Sequence, residues 1–201
     1  DDIWLPEMLN TQLNLLCDEF SLVSSSFEPI GNAGICRHHL NYIGEKSVRH
    51  VAYEDLINAN SIMTSSVILY KSNFEVAGGF DESSKFRFIE DWELWLRLAV
   101  HKKALINGAK LLQYRISYKA DRDLRDVKMR RLLIIKKHLE LNYINESTYK
   151  SARGNCYVDI GKAHLDCSDR SGIKYYFKGL VFASGIRNKL RAAAGLTLFY
   201  T

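Results

Sequence analysis

The 201 residues are 47% hydrophobic and 11% aromatic and carry a net charge of +5, a composition that excludes disorder and suffices for one packed domain or slightly more. The four cysteines (Cys17, Cys36, Cys156 and Cys167) form no CxxC pair, which argues against a zinc ribbon or a disulfide scaffold and favours a reducing compartment. The longest apolar runs fall far short of the ~18 residues that a membrane-spanning helix needs.

The charge is divided unevenly along the chain. Residues 1–99 carry 7 Lys and Arg against 15 Asp and Glu, a net charge of −8, whereas residues 100–201 carry 21 against 8, a net charge of +13. An acidic first half suits metal or polyol chemistry, and a basic second half suits phosphates or anionic surfaces. Solvated charged faces explain the same division equally well, so charge alone selects no function.

Periodicity and turn residues predict mixed α/β structure up to about residue 120. The predicted elements are a helix over 5–20, a strand over 21–27, a strand or extended loop over 35–43, a helix over 53–59, a strand over 61–70, helices over 72–77 and 90–103, and strands over 104–106 and 110–118. The β-branched run 61–70 gives the strongest strand signal and predicts a central, buried strand. The helix over 90–103 is apolar almost all round and should be buried, with Glu93 and Arg97 as an i,i+4 pair.

From Asp123 the periodicity is helical to the end of the chain. It predicts helices over 123–141, 147–167, 172–184 and 186–200. We therefore expect two parts: an α/β part over 1–118 and an all-helical appendage over 119–201, whose simplest role is to cap the first part.

Asp1 and Asp2 are the first candidates for chemistry. Paired aspartates at the end of a strand can hold a hard divalent cation through oxygen atoms and leave coordination positions for phosphate. The plain alternative is that they are two solvated acids.

Glu90 and Asp91 are the second candidates, at the start of the predicted buried helix. Acids are favourable at a helix N-terminus without any function. Here, however, apolar side chains surround the pair in the sequence, and a carboxylate partly withdrawn from water suits a general base. Those side chains are Phe86, Phe88, Ile89, Trp92 and Trp95.

Several common motifs do not occur. The sequence has no HExxH, nucleophile elbow, GxGxxG or P-loop, which argues against metalloprotease, hydrolase, dehydrogenase and NTPase functions. Basic and aromatic residues alternate in the second half, but no nucleic-acid-binding module accompanies them, and we expect no nucleic-acid partner.

Four segments in a fixed order resemble family 2 glycosyltransferases. DDIWLPEMLNTQLNLL is similar to the segment at and after that family's metal-binding DxD motif. NANSIMTSSVILYKSNFEVAGGFDES resembles the strand, helix and GGFDE loop of its acceptor-binding half. FIEDWELWLRLA resembles its ED motif and the helix that follows, and LLQYR its closing strand. The pair of GGFDE and EDWELWLRLA is the most specific of these matches.

The resemblance implies an α/β fold: the C-terminal, acceptor-binding half of a GT-A domain, followed by the helical tail. It implies an inverting enzyme that transfers a sugar from a nucleotide-sugar donor to a saccharide or lipid-linked hydroxyl acceptor, with Mg or Mn as the divalent cation. The setting would be the synthesis of cell-surface polysaccharide or glycoconjugate.

The resemblance also implies roles for individual residues. Asp1 matches the last acid of the DxD motif, so Asp1 and Asp2 would bind the metal. Asp91 would be the general base, with Glu90 supporting it. The loop flanking donor and acceptor would contain Gly78, Gly79, Phe80 and Asp81, and Trp92 would pack near the sugar, although core packing explains this tryptophan equally well.

The sequence departs from the family in two places. The nucleoside-binding region that precedes the DxD motif is not among these residues, and Arg115 is followed by Ile116, Ser117 and Tyr118 where many members have a histidine. We therefore expect a fragment of a longer parent protein that is inactive on its own. The alternative is a non-catalytic, truncated transferase that acts as a binding module through its basic tail. In either case the expected location is the cytoplasm, with peripheral contact with an anionic membrane at its inner face as a further expectation.

Overall fold

The computed structural model of the chain describes residues 2–31, 47–116, 123–183 and 185–198. It confirms a mixed α/β protein with a small mixed sheet and a helical C-terminal region. The chain forms two compact units, the first made of Asp1–Asp81 and Asp91–Lys119 and the second of Glu82–Glu90 and Ala120–Thr201. The sequence analysis expected one boundary, near residue 118, whereas in the structure the short segment 82–90 also belongs to the helical unit.

The first unit contains the sheet and its covering helices. Its strands are β1 (Ile3–Trp4), β2 (Leu22–Gly31), β3 (Val48–Val51) and β4 (Ala104–Ile116). The helices are α1 (Met8–Leu15), α2 (Tyr53–Leu56), α3 (Lys71–Val76) and α4 (Glu90–Ala99), the last beginning where the chain re-enters this unit.

Strand β4 is the centre of the described sheet. It pairs in parallel with β2 along its length and antiparallel with both β1 and β3, which share its other edge. The two strands predicted over 104–106 and 110–118 are therefore one strand. The predicted break coincides with an irregularity in the pairing, where Ser25 faces Asn107 but Ser26 faces Lys110.

The buried side chains of this unit come largely from the sheet and from α4. Leu22 on β2 and Leu112 on β4 are fully buried, as are Leu94 and Leu96 on α4. Trp92, at the start of the same helix, is 2% exposed. The prediction of a buried helix here is confirmed, although the helix ends at Ala99 rather than at residue 103.

The prediction of a strand over 61–70 is wrong. This segment forms a short 3-10 helix, Thr64–Ser66, which we call the hydroxyl turn, and its backbone pairs with β2 through an isolated bridge between Val23 and Ile68. The Ser66 hydroxyl donates to the Met63 carbonyl at 2.8 Å, so local hydrogen bonds replace those of a strand ladder. The strand or extended loop predicted over 35–43 lies outside the described residues.

The second unit is built from the helices that the periodicity of the sequence predicts. They are α5 (Leu124–Glu140), α6 (Glu146–Asp166), α7 (Ile173–Phe182) and α8 (Ile186–Thr197), with a 3-10 turn, Arg170–Gly172, before α7. The side chains of Asp123 and Asn145 cap the first two helices. Both helices end in Schellman motifs, in which Asn142 and Ser168 take positive φ angles of 58° and 56°.

Asp159 on α6 links three helices of this unit. It accepts from Arg131 Nη1 on α5 at 2.7 Å and from Arg191 Nη2 on α8 at 3.1 Å. Burial raises the pKa of the Asp159 carboxyl, but Arg131, Lys128 and Arg191 together outweigh burial and hold that pKa below its usual range. The carboxylate therefore remains charged and bound to its partners at neutral pH.

The ring of Tyr176 on α7 packs between two glycines. A Cβ atom at Gly161 on α6 would lie 2.8 Å from this ring, and one at Gly195 on α8 would lie 2.0 Å from it. The ring is 3% exposed, and burial raises the pKa of its hydroxyl to about 12. Glycine is therefore needed at both positions for close helix packing, not for backbone freedom.

The first prediction concerns Gly195→Ala. Alanine in place of glycine normally stabilises a helix by about 1 kcal/mol. Here we expect it to destabilise the protein, because the added methyl group overlaps Tyr176. We expect the free energy of unfolding to fall by about 1–3 kcal/mol in urea denaturation. Ala193→Ser, at an exposed position of the same helix, is the control. A stability equal to or above that of the wild type would contradict the packing described here.

Candidate functional site

Two of the sequence-predicted acids contact neighbouring residues of the hydroxyl turn. Asp2 Oδ2 accepts from Ser65 Oγ at 2.5 Å, and Asp91 Oδ2 accepts from Thr64 Oγ1 at 2.5 Å. The two carboxylates come from distant parts of the sequence, and the turn that joins them comes from a third. The structure therefore brings Asp2 and Asp91 to one local site in the first unit.

Asp2 is held by both of its carboxylate oxygens. Oδ1 accepts from the backbone N–H of Arg115, near the end of β4, at 2.9 Å, whereas Oδ2 accepts from Ser65. Trp4 adds a second link to the same turn, because its Nε1 donates to the Ser65 carbonyl at 2.7 Å. Asp2 is thus oriented by the sheet and by the turn together. Asp1, the other predicted metal ligand, lies outside the described residues.

Asp91 stands at the start of α4 and is half-buried. Its Oδ1 accepts from the backbone N–H of Trp92 at 2.6 Å, while Oδ2 accepts from Thr64. Acids are favourable in this first turn because they lie near the positive end of the helix dipole. The carboxylate is therefore anchored at a defined position by the hydroxyl turn and by the start of the helix.

The hydroxyl turn is itself fixed to β2 by Ser66. This fully buried side chain contacts Ser24 Oγ at 2.8 Å, accepts from the Ser25 N–H at 3.0 Å and lies 3.2 Å from the Ser25 carbonyl oxygen. Sequence reasoning missed the role of these residues. The run of three adjacent hydroxyls, Thr64 to Ser66, was the available signal, because such side chains compete with strand hydrogen bonds.

Glu90 is the first residue of α4 and belongs to the second unit. It is half-buried, and among the described residues its Oε2 atom has no hydrogen-bond partner. Just before it, Phe88 has a φ angle of 72°, which is unusual for a bulky residue. Backbone strain of this kind costs on the order of 1–3 kcal/mol and often occurs near functional groups.

The glycine loop expected to flank the substrates is held by Arg97. Gly78 and Gly79 have φ angles of 80° and 68°, the left-handed conformation that glycine adopts most easily. Arg97 on α4 donates to the Ala77 carbonyl and, at 2.6 Å, to the Gly79 carbonyl. Its charge is balanced by Glu93, which is fully buried and accepts at 2.6 Å. The predicted i,i+4 pair is therefore present and organises this loop.

The remaining predicted binding residues differ in accessibility. Phe80 is 42% exposed and packs edge-to-face against Phe74 and Trp95, so part of its ring faces solvent. Asp81 is half-buried at the end of the loop. Trp92, in contrast, is buried and its Nε1 donates to the Leu56 carbonyl at 2.8 Å. Because so little of its ring is exposed, we assign Trp92 to core packing and not to sugar binding.

The described residues do not supply a complete cation site. Among them, no group of three or more His, Cys, Asp and Glu side chains could hold a metal ion. Of the two predicted metal ligands the structure describes Asp2, and both of its carboxylate oxygens already accept hydrogen bonds. The divalent cation stays an expectation from the family resemblance, and no step below depends on it.

A Ser, His and Asp cluster in the second unit has the wrong geometry for nucleophilic catalysis. His164 Nδ1 contacts both Asp169 Oδ2 at 2.8 Å and Ser171 Oγ at 3.3 Å, whereas a catalytic triad uses the two ring nitrogens separately. Hydrogen bonds from Ser171 and His164 hold the pKa of the Asp169 carboxyl well below its usual range. We interpret the cluster as a cap of the turn between α6 and α7.

Comparison of the chain with protein-family models, curated proteins and solved structures found no match. The resemblance to family 2 glycosyltransferases therefore rests on the four sequence segments and stays a prediction.

The second prediction concerns Ser66→Ala. The substitution leaves the buried Ser25 N–H and Ser24 hydroxyl without this partner, which should lower the free energy of unfolding by about 1–3 kcal/mol. Urea denaturation measures the change. Ser72→Ala, an exposed serine on α3, is the matched control and should leave stability nearly unchanged. Equal stabilities for the two variants would show that Ser66 does not anchor the turn.

The third prediction concerns Arg97→Ala. Removing this guanidinium leaves the Glu93 carboxylate buried without its counter-charge, a change that costs about 3–5 kcal/mol in comparable buried pairs. The control is Lys71→Ala, which breaks an exposed i,i+4 pair with Glu75 and should have little effect in the same denaturation measurement. The double variant Glu93→Leu with Arg97→Met should recover part of the loss, and a loss no larger than that of Lys71→Ala would contradict the prediction.

Proposed function

We propose that this chain is the acceptor-binding part of an inverting glycosyltransferase with a GT-A fold. One observation carries the proposal: Asp2 and Asp91, which the resemblance assigns to the donor side and to the general base, contact adjacent residues of the hydroxyl turn. The family resemblance did not use Thr64 or Ser65. A site in which both assigned acids meet on one structural element supports a joint function better than either acid does alone.

The proposed chemistry is a single displacement. The acceptor hydroxyl donates its proton to the Asp91 carboxylate as its oxygen attacks the anomeric carbon of the donor sugar. The bond from that carbon to the nucleoside diphosphate breaks, the diphosphate leaves with the electron pair, and the configuration inverts. Asp91 is suited to this role because Thr64 and the helix start fix its position, so little reorganisation is needed when the proton moves.

The neighbouring groups have supporting roles in the proposal. The loop of Gly78 to Asp81, held by Arg97, would line the space for the sugars, with the exposed part of the Phe80 ring available to a sugar face. The resemblance also assigns a supporting role to Glu90, which belongs to the second unit. Asp2 is proposed to act on the donor side, where the family resemblance also assigns Asp1 and a Mg or Mn ion.

The fourth prediction tests the base. In the full-length gene product, Asp91→Asn should reduce sugar transfer about 10²- to 10⁴-fold, because the amide cannot accept the acceptor's proton. The measurement is release of nucleoside diphosphate from a panel of nucleotide sugars with Mn or Mg present. Asp18→Asn, an exposed aspartate away from the site, is the matched control and should retain wild-type turnover.

Two results of this experiment are informative in different ways. Turnover by Asp91→Asn equal to that of Asp18→Asn would show that Asp91 is not the base. An absence of turnover by the wild type with every donor would favour the alternative, a binding module without catalytic activity.

A further inference from the structure

The end of the chain carries basic residues without any acidic ones. After Asp169 the sequence contains no Asp or Glu, and its six Lys and Arg residues are Arg170, Lys174, Lys178, Arg187, Lys189 and Arg191. This stretch includes α7 and α8. A surface built from these helices therefore has cationic charge that no acid of the same stretch offsets.

Helix α8 has apolar side chains both on its buried face and in its solvent-exposed surface. Its inner face is formed by Ala192 and Gly195, which are buried, together with Leu196, which is partly buried. On the outer face Ile186 and Leu190 are four residues apart and are 79% and 62% exposed. Both sides of this helix thus carry apolar side chains, but packing within the unit buries only one of the two sides.

Basic residues flank this exposed apolar stripe. Lys189 and Arg191 precede and follow Leu190, so at 100° per residue they project on either side of it. Arg191 is ion-paired with Asp159 on α6 at 3.1 Å, so the charge on this flank is partly offset, and Lys189 supplies the charge on the other flank. The long aliphatic parts of such side chains can lie along an apolar surface while the charged groups reach polar surroundings.

Helix α7 repeats the pattern. Phe177 and Val181, one turn apart, are 53% and 72% exposed, and the exposed Lys174 and Lys178 share their face at i,i+3 and i,i+4 spacings. The two helices contact each other through Gly179 and Ala192. Two successive helices thus each present exposed apolar side chains, and the charged residues of these two helices are all basic.

We propose that α7 and α8 dock this protein onto an anionic lipid surface. Exposed aliphatic side chains flanked by Lys and Arg match the interface between acyl chains and anionic headgroups. A second copy fits less well, because two such faces would bring cations against cations. No described helix is both long and apolar enough to cross a bilayer, so α8 would lie in the plane of the membrane surface. The proposal does not depend on transferase activity.

The fifth prediction is tested by co-sedimentation of the 201-residue chain with vesicles. The chain should bind phosphatidylcholine vesicles that contain about 30 mol% phosphatidylglycerol and not pure phosphatidylcholine vesicles. Raising NaCl from about 0.05 M to about 0.5 M should weaken the binding, because salt screens the attraction.

Variants separate the apolar and the charged contributions. Ile186→Ser with Leu190→Ser should weaken binding to the anionic vesicles about tenfold or more, since it removes the side chains that enter the lipid. Lys174→Gln with Lys178→Gln should also weaken binding to the anionic vesicles, because two positive charges that attract the anionic headgroups are removed. Val76→Ser, at an 88% exposed position of α3 in the first unit, is the matched control and should bind like the wild type.

All substituted side chains are exposed, and circular dichroism verifies that each variant is folded. If the double serine variant were unfolded, Leu190→Gln alone would replace it. Failure of the wild type to bind anionic vesicles at low salt would overturn the proposal, and so would wild-type binding by the folded apolar variant. Self-association without vesicle binding would also overturn it and assign the surface to a second copy of the chain.

Discussion

The first unit depends on the pairing of strand β4. Among the described strands, β1, β2 and β3 all hydrogen-bond to it, so β4 determines where each of them lies. Its backbone also forms hydrogen bonds outside the strand pairing. The N–H of Arg115 donates to the Asp2 carboxylate, and the carbonyl of Leu111 accepts from the N–H of Leu5. The position of one proposed catalytic-site acid is therefore a direct consequence of strand pairing.

Two polar clusters position the loops that carry the proposed chemistry. In one, the Ser66 hydroxyl joins the hydroxyl turn to β2, and Thr64 and Ser65 then orient the two acids. In the other, Arg97 binds the glycine loop while Glu93 balances its charge inside the core. Such clusters provide directional hydrogen bonds, which fix side-chain orientation in a way that apolar packing alone does not.

In the second unit, small residues allow the helices to pack closely, while several apolar side chains remain exposed to solvent. Gly161 and Gly195 allow the helices to enclose Tyr176, and Asp159 links α5, α6 and α8 through two arginines. The unit is thus well packed inside, and yet Ile186, Leu190 and Val181 remain exposed. Apolar exposure in a helix pair whose charges are all positive is the physical basis for the proposed lipid surface.

The sequence by itself determined the features that depend on local periodicity: the mixed α/β class, the buried helix α4 with its Glu93–Arg97 pair, and the succession of helices after residue 123. It predicted the wrong structure for 61–70, because the β-branched pattern of that run does not reveal that hydroxyl groups would satisfy the backbone locally. It also named Asp2 and Asp91 without any sign that one turn joins them. Only the tertiary structure decided this contact and the hydrogen bond from Trp92 to Leu56, because both join residues far apart in the chain, which no local pattern encodes.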